Sequence, residues 1–302
     1  MMIKLPGIKT MDPKVLLLIP SLLPQKMHMM FMLLTWIMMV TSMFFQQIMT
    51  SIFHDLDYVV VYIDDISILS HSVEEHKEHL KEVFNRLNEY NIKLRMDKCL
   101  WGVDKAQYLG FIIDKTGVNT TKKYMEKIMN VPEPTTRKAL QRFLGLCQYL
   151  HRFVPHMHIP FSTLSELTRN TNPKKFKMNS VQVEAFQTLK DIVFSTEALI
   201  HPNPEKEFHV FTDASQIGVG GMLAQWVPNE NPKSGEPDGS YQPIAYCSKV
   251  FNSVQKRWHV SEQELFAALY CIEKWDRHLR GHKFTLHTDH KNLQFLFSKA
   301  GD

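Results

Sequence analysis

The sequence predicts a chain that mixes α/β and α+β architecture, and three observations carry that prediction. Residues Val59 to Leu69 form a β-branched apolar run broken only by Asp64 and Asp65, the pattern of strand, tight turn and strand. Between Val73 and Phe194, several stretches place apolar residues at helical spacing. Past Pro202 and Pro204, strand-like runs surround one long helical stretch, the layout of a mixed sheet covered by a helix.

Each element has its own signal. From Met1 to about Val40 there is no clean period, and Pro6, Pro13, Pro20 and Pro24 interrupt the chain, so no element is assigned. Phe44 to Phe53 reads as a helix with Phe44, Phe45, Ile48, Met49 and Ile52 on one side. Ser72 caps a helix over Val73 to Asn91, with Glu74 and Glu75 in its first turn and Leu80, Val83, Phe84 and Leu87 on its apolar face. Lys93 to Leu100 and Gln107 to Asp114 suggest a hairpin, followed by a turn at Lys115 to Gly117. Helices over Tyr124 to Asn130 and Thr135 to Phe153 are split by the stop signal Val131-Pro132-Glu133-Pro134, and Val181 to Phe194 is a further helix. The second domain offers strands at Phe208 to Asp213, Gly220 to Trp226, Pro243 to Lys249 and Lys283 to Asp289, with a solvated loop over Val227 to Gln242. Its long helix, Ser261 to Leu279, opens with Ser261 and Glu264 at capping-box spacing.

Composition narrows the class. At 302 residues with 44% hydrophobic content, the chain has room for two or three domains with real cores. Its 35 Lys and Arg against 31 Asp and Glu permit a polyanionic partner without the strongly basic footprint of a dedicated DNA binder. Cys99, Cys147, Cys247 and Cys271 are scattered and form no CxxC pair, which suggests neither a zinc knuckle nor a disulfide framework and fits an intracellular place, cytoplasmic or nuclear. Met29 to Phe45 is an apolar run broken by Thr35, Thr41 and Ser42; it is short for a span of roughly 20 residues, and no membrane attachment is expected from it. Eroded or frame-shifted coding sequence explains its Met density equally well.

Two groups of acids carry chemistry. Asp64 and Asp65 sit between Val59-Val60-Val61-Tyr62-Ile63 and Ile66-Ser67-Ile68-Leu69, where both strands favour burial. Adjacent carboxylates there repel and lose hydration, which a divalent cation such as Mg²⁺ would offset; a plain Asp-Asp turn is the competing reading. In the second group, Asp213 ends a strand, Glu264 lies in the first turn of the long helix, and Asp289 ends another strand. Three acids near element termini suit metal-assisted phosphodiester hydrolysis, although each alone could be a turn or capping residue.

Tyr62-Ile63-Asp64-Asp65 resembles the Y-x-D-D hairpin of reverse transcriptases, and its surroundings resemble the gypsy class of long-terminal-repeat retrotransposons. The matching pieces are Phe44-Phe45-Gln46-Gln47-Ile48-Met49, Glu75-His76, His79-Leu80, Lys98-Cys99, Tyr108-Leu109-Gly110, Phe143-Leu144-Gly145-Leu146, Tyr149 and Arg152-Phe153. Thr212 to Ser215, Glu262 to Ala267 and Thr288 to Leu293 likewise resemble the T-D-A-S, E-x-E-L-x-A and T-D-H-K-x-L segments of retrotransposon ribonuclease H. The resemblance implies a divergent Met-rich segment over 1–43, the C-terminal part of a polymerase palm over 44–117, a thumb over 118–160 and a connection over 161–206. It further implies a five-stranded ribonuclease H-like sheet with helices over 207–302, truncated at its C-terminus. Asp64 and Asp65 would then be palm metal ligands; Asp213, Glu264 and Asp289 would hold Mg²⁺, or Mn²⁺ in its place, with Glu264 rather than Glu262 as the acid before Leu265.

Departures from the pattern qualify those expectations. No L-D-L-x-x-G-Y type strand precedes the hairpin, Asp12 in Met11-Asp12-Pro13 is a poor substitute, and Met38-Met39-Val40-Thr41 stands where an M-P-F-G-L type segment belongs. Polymerase activity is therefore expected to be lost, with deoxynucleotides bound only if palm and fingers are supplied. The fourth ribonuclease H acid is also missing, since Asp302 arrives early, so hydrolysis of RNA in RNA–DNA hybrids is expected to be impaired. Tyr62, Arg137, Lys138, Arg142, Lys249 and Arg257, with Lys256 and Trp258 nearby, are the candidate contacts to hybrid or primer-template; solvated helix faces are the competing reading for the cations. His259, His287 and His290 read as polar or packing residues. A non-catalytic nucleic-acid-binding remnant, or a pseudogene product, is the alternative to an enzyme.

Overall fold

In the computed structural model the described residues are 2–4, 40–169, 176–229, 238–291 and 293. Asp12, Asp302 and most of the Met-rich stretch lie outside them. The chain divides into two compact units, Met1–Tyr108 and Leu109–Asp302.

In the first unit, a helix over residues 40–53 presents Met49, Ile52 and Phe53 to a core shared with Ile66, Ile68, Val83 and Leu87. Strands β2 (Val59–Tyr62) and β3 (Asp65–Ile68) pair antiparallel with Tyr62 opposite Asp65. Where sequence reading assigned no element, β1 (Met2–Lys4) pairs with the other side of β3 and sets Lys4 opposite Asp65. Three residues ahead of Pro6 carry too little pattern to be seen. Helix Val73–Glu89 opens with the reciprocal Ser72–Glu75 capping box. The hairpin expected from Lys93 is absent: the segment holds a 3₁₀ turn, Met96–Lys98, before β4 (Lys105–Tyr108). Ile92, Leu94 and Cys99 pack on the core from irregular backbone, which imitates strand alternation.

The second unit begins with the hairpin that does form, β5 (Phe111–Asp114) against β6 (Gly117–Thr120), turning where Lys115 to Gly117 was expected. β7 (Leu199–Ile200) pairs with β6 so closely that a Cβ on Gly117, at φ +156°, would lie 1.9 Å from the Leu199 carbonyl oxygen. Only glycine tolerates that approach. Helices Lys122–Met129, Arg137–Tyr149 and Ser180–Phe194 start behind Thr121, Thr136 and Asn179 caps. With helix His158–Ser165 they enclose Leu140, Phe143, Leu150, Leu164 and Leu189. Buried Lys190 gives its ammonium to the carbonyls of Met129 (2.8 Å) and Val131 (2.5 Å), closing the helix before the Val131-Pro132 stop.

The last sheet has the order β10-β9-β8-β11, four strands among the described residues where five were expected. β8 (Phe208–Ala214) pairs antiparallel with β9 (Gly218–Pro228), and β9 with β10 (Gly239–Val250). β11 (Phe284–His287) runs parallel to β8. Helix Val260–Lys274 covers one face, packing Cys271 with Trp275 on Phe208, Val210 and Leu223. It ends at Trp275, before a short helix Asp276–Leu279, rather than continuing to Leu279. No helix among the described residues is long and apolar enough to cross a membrane; the run from Met29 lies largely outside them.

Candidate active site

Parallel pairing of β8 with β11 places two of the second group's acids at one sheet end. Phe211 stands opposite His287, so Asp213 and Asp289, each two residues further on, leave the same end of adjacent strands, which run about 4.8 Å apart. Asp213 is the exposed penultimate residue of β8. Asp289 lies two residues beyond β11 rather than within it, a correction to the expected strand. The neighbouring His290 fixes that segment: its backbone N–H donates to Thr288 Oγ1 (3.2 Å), and its Nε2 lies 3.3 Å from Ser261 Oγ in the first turn of the long helix.

Glu264 has a different role from the one its spacing suggested. The N-cap is His259, not Ser261, and the capping-box acid is Glu262, whose carboxylate accepts the His259 N–H at 2.8 Å. Histidine seldom caps, so the Ser261–Glu264 spacing misled. Freed from the cap, Glu264 turns inward: the residue is 5% exposed, it accepts the Ala214 backbone N–H, and its Oε2 has no hydrogen-bond partner. Burial, then the charges of Asp289 and Asp213, push its pKa up to about 7.

An orphaned, buried carboxylate oxygen facing two like charges is the arrangement a divalent cation relieves, so the donor set fits such an ion in kind. Among the described residues, however, no three His, Cys, Asp or Glu side chains form a group that could hold one. The acids converge without closing.

Sequence reading missed His158. Its residue is 4% exposed, neither ring nitrogen has a hydrogen-bond partner, and it packs over Gly218 and Gly220, the latter paired with Asp213. Burial and the charge of His156 lower its pKa while Asp213 opposes them. The only sequence signal is the His156-x-His158 spacing in the last residues of the segment read as the thumb. His287, read as a packing residue, stacks on Phe211 at 4.2 Å and lies 3.0 Å from His209.

In the first unit, Asp64 and Asp65 are half-buried at the β2–β3 turn. Ile63 adopts φ +52°, a strained position for a β-branched residue. Gln46, from the preceding helix, holds it there: its Oε1 accepts the Ile63 N–H and its Nε2 donates to the Val61 carbonyl at 3.2 Å. The backbone neighbour of β3 on its other side, Met2-Ile3-Lys4, supplies no third carboxylate. Tyr62 is 48% exposed beside this turn.

The candidate cations are dispersed. Lys138 and Arg142 lie on the exposed face of their helix, and Arg137 is half-buried. Lys256 and Arg257 are exposed in a 3₁₀ turn, beside half-buried Trp258. Lys249 is held over the rings of Phe266 (5.0 Å) and Tyr270 (5.1 Å), so its stem has a packing role as well.

Residues 203–302 match the RNase H-like domain found in reverse transcriptase, and residues 38–113 match reverse transcriptase (RNA-dependent DNA polymerase). The chain is 29% identical over 257 residues to the retrovirus-related Pol polyprotein from transposon 297 of Drosophila melanogaster, covering 83% of this chain and 23% of that one. It is 29% identical over 238 residues to the Tf2-3 polyprotein of Schizosaccharomyces pombe, covering 78% and 17%. The chain thus spans about a fifth of the length of these relatives. Among solved structures, a foamy viral protease-reverse transcriptase with double-stranded DNA matches with a TM-score of 0.71 at 23% identity, over 85% of this chain and 43% of that one. The same kind of protein with an RNA/DNA hybrid matches with a TM-score of 0.65 at 24% identity, over 82% and 32%.

Proposed function

We propose, starting from a chain that carries a reverse transcriptase segment and an RNase H-like domain of the retrotransposon Pol kind, that its working site is the end of the β8–β11 sheet and that it cleaves RNA in RNA–DNA hybrids. The observation that carries this reading is Glu264, a buried acid with an orphaned oxygen, pushed up to about 7 by burial and by Asp289 and Asp213. Asp213, Glu264 and Asp289 would hold a divalent cation, Mg²⁺ or Mn²⁺, which when bound supplies a lowered water pKa and charge stabilisation at the scissile phosphate. Without it, the raised pKa leaves Glu264 partly protonated near neutral pH, which lessens the repulsion. Asp213, exposed at the strand end, faces the incoming backbone, while His290 holds the Asp289 segment against the helix.

Lys256 and Arg257, before the long helix, would grip hybrid phosphates, and Lys138 and Arg142 would track primer-template without reading sequence. The palm pair Asp64–Asp65 would not polymerise by itself, because β1 brings no acid beside it. No disulfide joins Cys99, Cys147, Cys247 and Cys271, and Cys247 and Cys271 meet in a thiol–thiol hydrogen bond of 3.5 Å, which supports an intracellular setting. A non-catalytic nucleic-acid-binding role is the second reading, and the acids' failure to form an ion-holding group favours it. A labelled hybrid incubated with the chain in Mg²⁺ or Mn²⁺ decides between them. Cleavage lost in Asp213→Asn supports the enzyme; hybrid bound but uncut by the unaltered chain supports the second reading.

A further inference from the structure

On helix Arg137–Tyr149, Lys138, Arg142, Gly145 and Tyr149 follow at i, i+4, i+7 and i+11, and all four are exposed. The stripe runs from two cations to the wall of a cavity of about 640 Å³, a size typical of small-molecule sites. The wall is largely apolar and aromatic. Phe111 lies between Tyr149 (4.9 Å, 12° between ring planes) and Phe153 (5.2 Å, 18°), giving a nearly parallel stack. The polar lining is Arg152, the amide of Gln148, and His151, His201 and His278, and no carboxylate lines the cavity among the described residues. Burial, then the charges of Lys274 and Arg152, lower the pKa of His151 against its hydrogen bond to the Gln148 carbonyl, and burial, then Arg152, lower that of His278, so the fixed positive charge on the cavity wall is the Arg152 guanidinium. Gly145 lines the cavity at a place where a Cβ would meet nothing within 4 Å, so there is open space in front of it.

We infer that this cavity binds a planar aromatic anion, its ring against the Phe111–Tyr149–Phe153 wall and its charge toward Arg152. An aromatic wall rewards a flat π-face, and the Arg152 guanidinium, with no carboxylate beside it in the described lining, selects a negative group. The cavity is separate from the acidic sheet end, and this inference does not rest on the nuclease reading.

The test uses the full chain and two probes of shared ring structure, anionic 8-anilinonaphthalene-1-sulfonate and neutral N-phenyl-1-naphthylamine, titrated by fluorescence. The sulfonate should bind at one saturable site on the folded chain. Arg152→Met should weaken the sulfonate about tenfold, the equivalent of about 1.4 kcal/mol, and leave the neutral probe unchanged. Gly145→Phe, placing a ring in open space at a helical position, should weaken both probes more than tenfold. Equal affinity of the sulfonate for the unaltered chain and Arg152→Met overturns the proposal. So does unchanged binding of both probes by Gly145→Phe, and a Gly145→Phe that fails to melt cooperatively leaves the Arg152→Met comparison to decide.

Discussion

The two acidic regions of this chain are built in opposite ways. At the β2–β3 turn, Asp64 and Asp65 are neighbours in sequence, and a strained Ile63 clamped by Gln46 holds the turn that carries them. At the β8–β11 end, Asp213 comes from a strand, Asp289 from just past another and Glu264 from a helix, and parallel register with helix packing brings the charges of the two aspartates to bear on Glu264. The first region is locally exact and lacks a third acid in the adjoining strand; the second has three acids and depends on the whole sheet. Sequence proximity builds a turn cheaply, whereas a site able to share an ion needs carboxylates delivered from several elements.

The largest effect that would break this contrast is catalytic. Glu264→Gln should lower hybrid cleavage by roughly 10²-fold or more, whereas Glu262→Ala, which loses only the cap, should keep cleavage and lose about 1 kcal/mol of stability. Equal loss of cleavage in both, measured on the same hybrid, would remove the distinction between the two glutamates. Gly117→Ala should follow in size, costing about 3 kcal/mol in urea melts, because its methyl collides with the Leu199 carbonyl. Folding at undiminished stability would mean that β7 does not sit where it is described.

The acid in the nuclease-like region also predicts a pH dependence. Glu264 has a folded pKa of about 7 against an ordinary 4.5, so its ionisation is disfavoured in the folded chain. Its penalty is absent below the unfolded pKa, grows between pH 4.5 and 7, and is then constant. Without divalent metal, Glu264→Gln should therefore be more stable than the unaltered chain by about 1–3 kcal/mol at pH 8 and about equal at pH 4. A constant difference across that range would show that Glu264 does not titrate abnormally. Smallest is the turn itself: Ile63→Gly should raise stability by about 1 kcal/mol by relieving the left-handed strain, while Gln46→Ala should lower it by about 1–2 kcal/mol. Opposite signs in thermal melts would sink the clamp.

Much of this was readable where local signals suffice. The Asp64–Asp65 hairpin, the Ser72 cap and the Lys115–Gly117 turn each depend on a few adjacent residues, and each stands as expected. What eluded reading depends on partners distant in sequence. Histidine as the cap before Val260 could not outrank a serine by propensity, so Glu264 was placed in a capping box and its burial went unseen. Ile92 and Leu94 alternate like a strand because both reach the same core from irregular chain. β1 exists only because β3 offers it an edge, and the Gln46 clamp only because a helix passes beside the turn.

The most direct test of a shared-ion site is thermal melting at pH 8 with and without Mg²⁺. The unaltered chain should gain about 1.4 kcal/mol of stability at a Mg²⁺ concentration near ten times the dissociation constant, and Asp213→Asn and Glu264→Gln should gain far less. An equal gain in all three, or none in the unaltered chain, would contradict the claim that these acids share an ion.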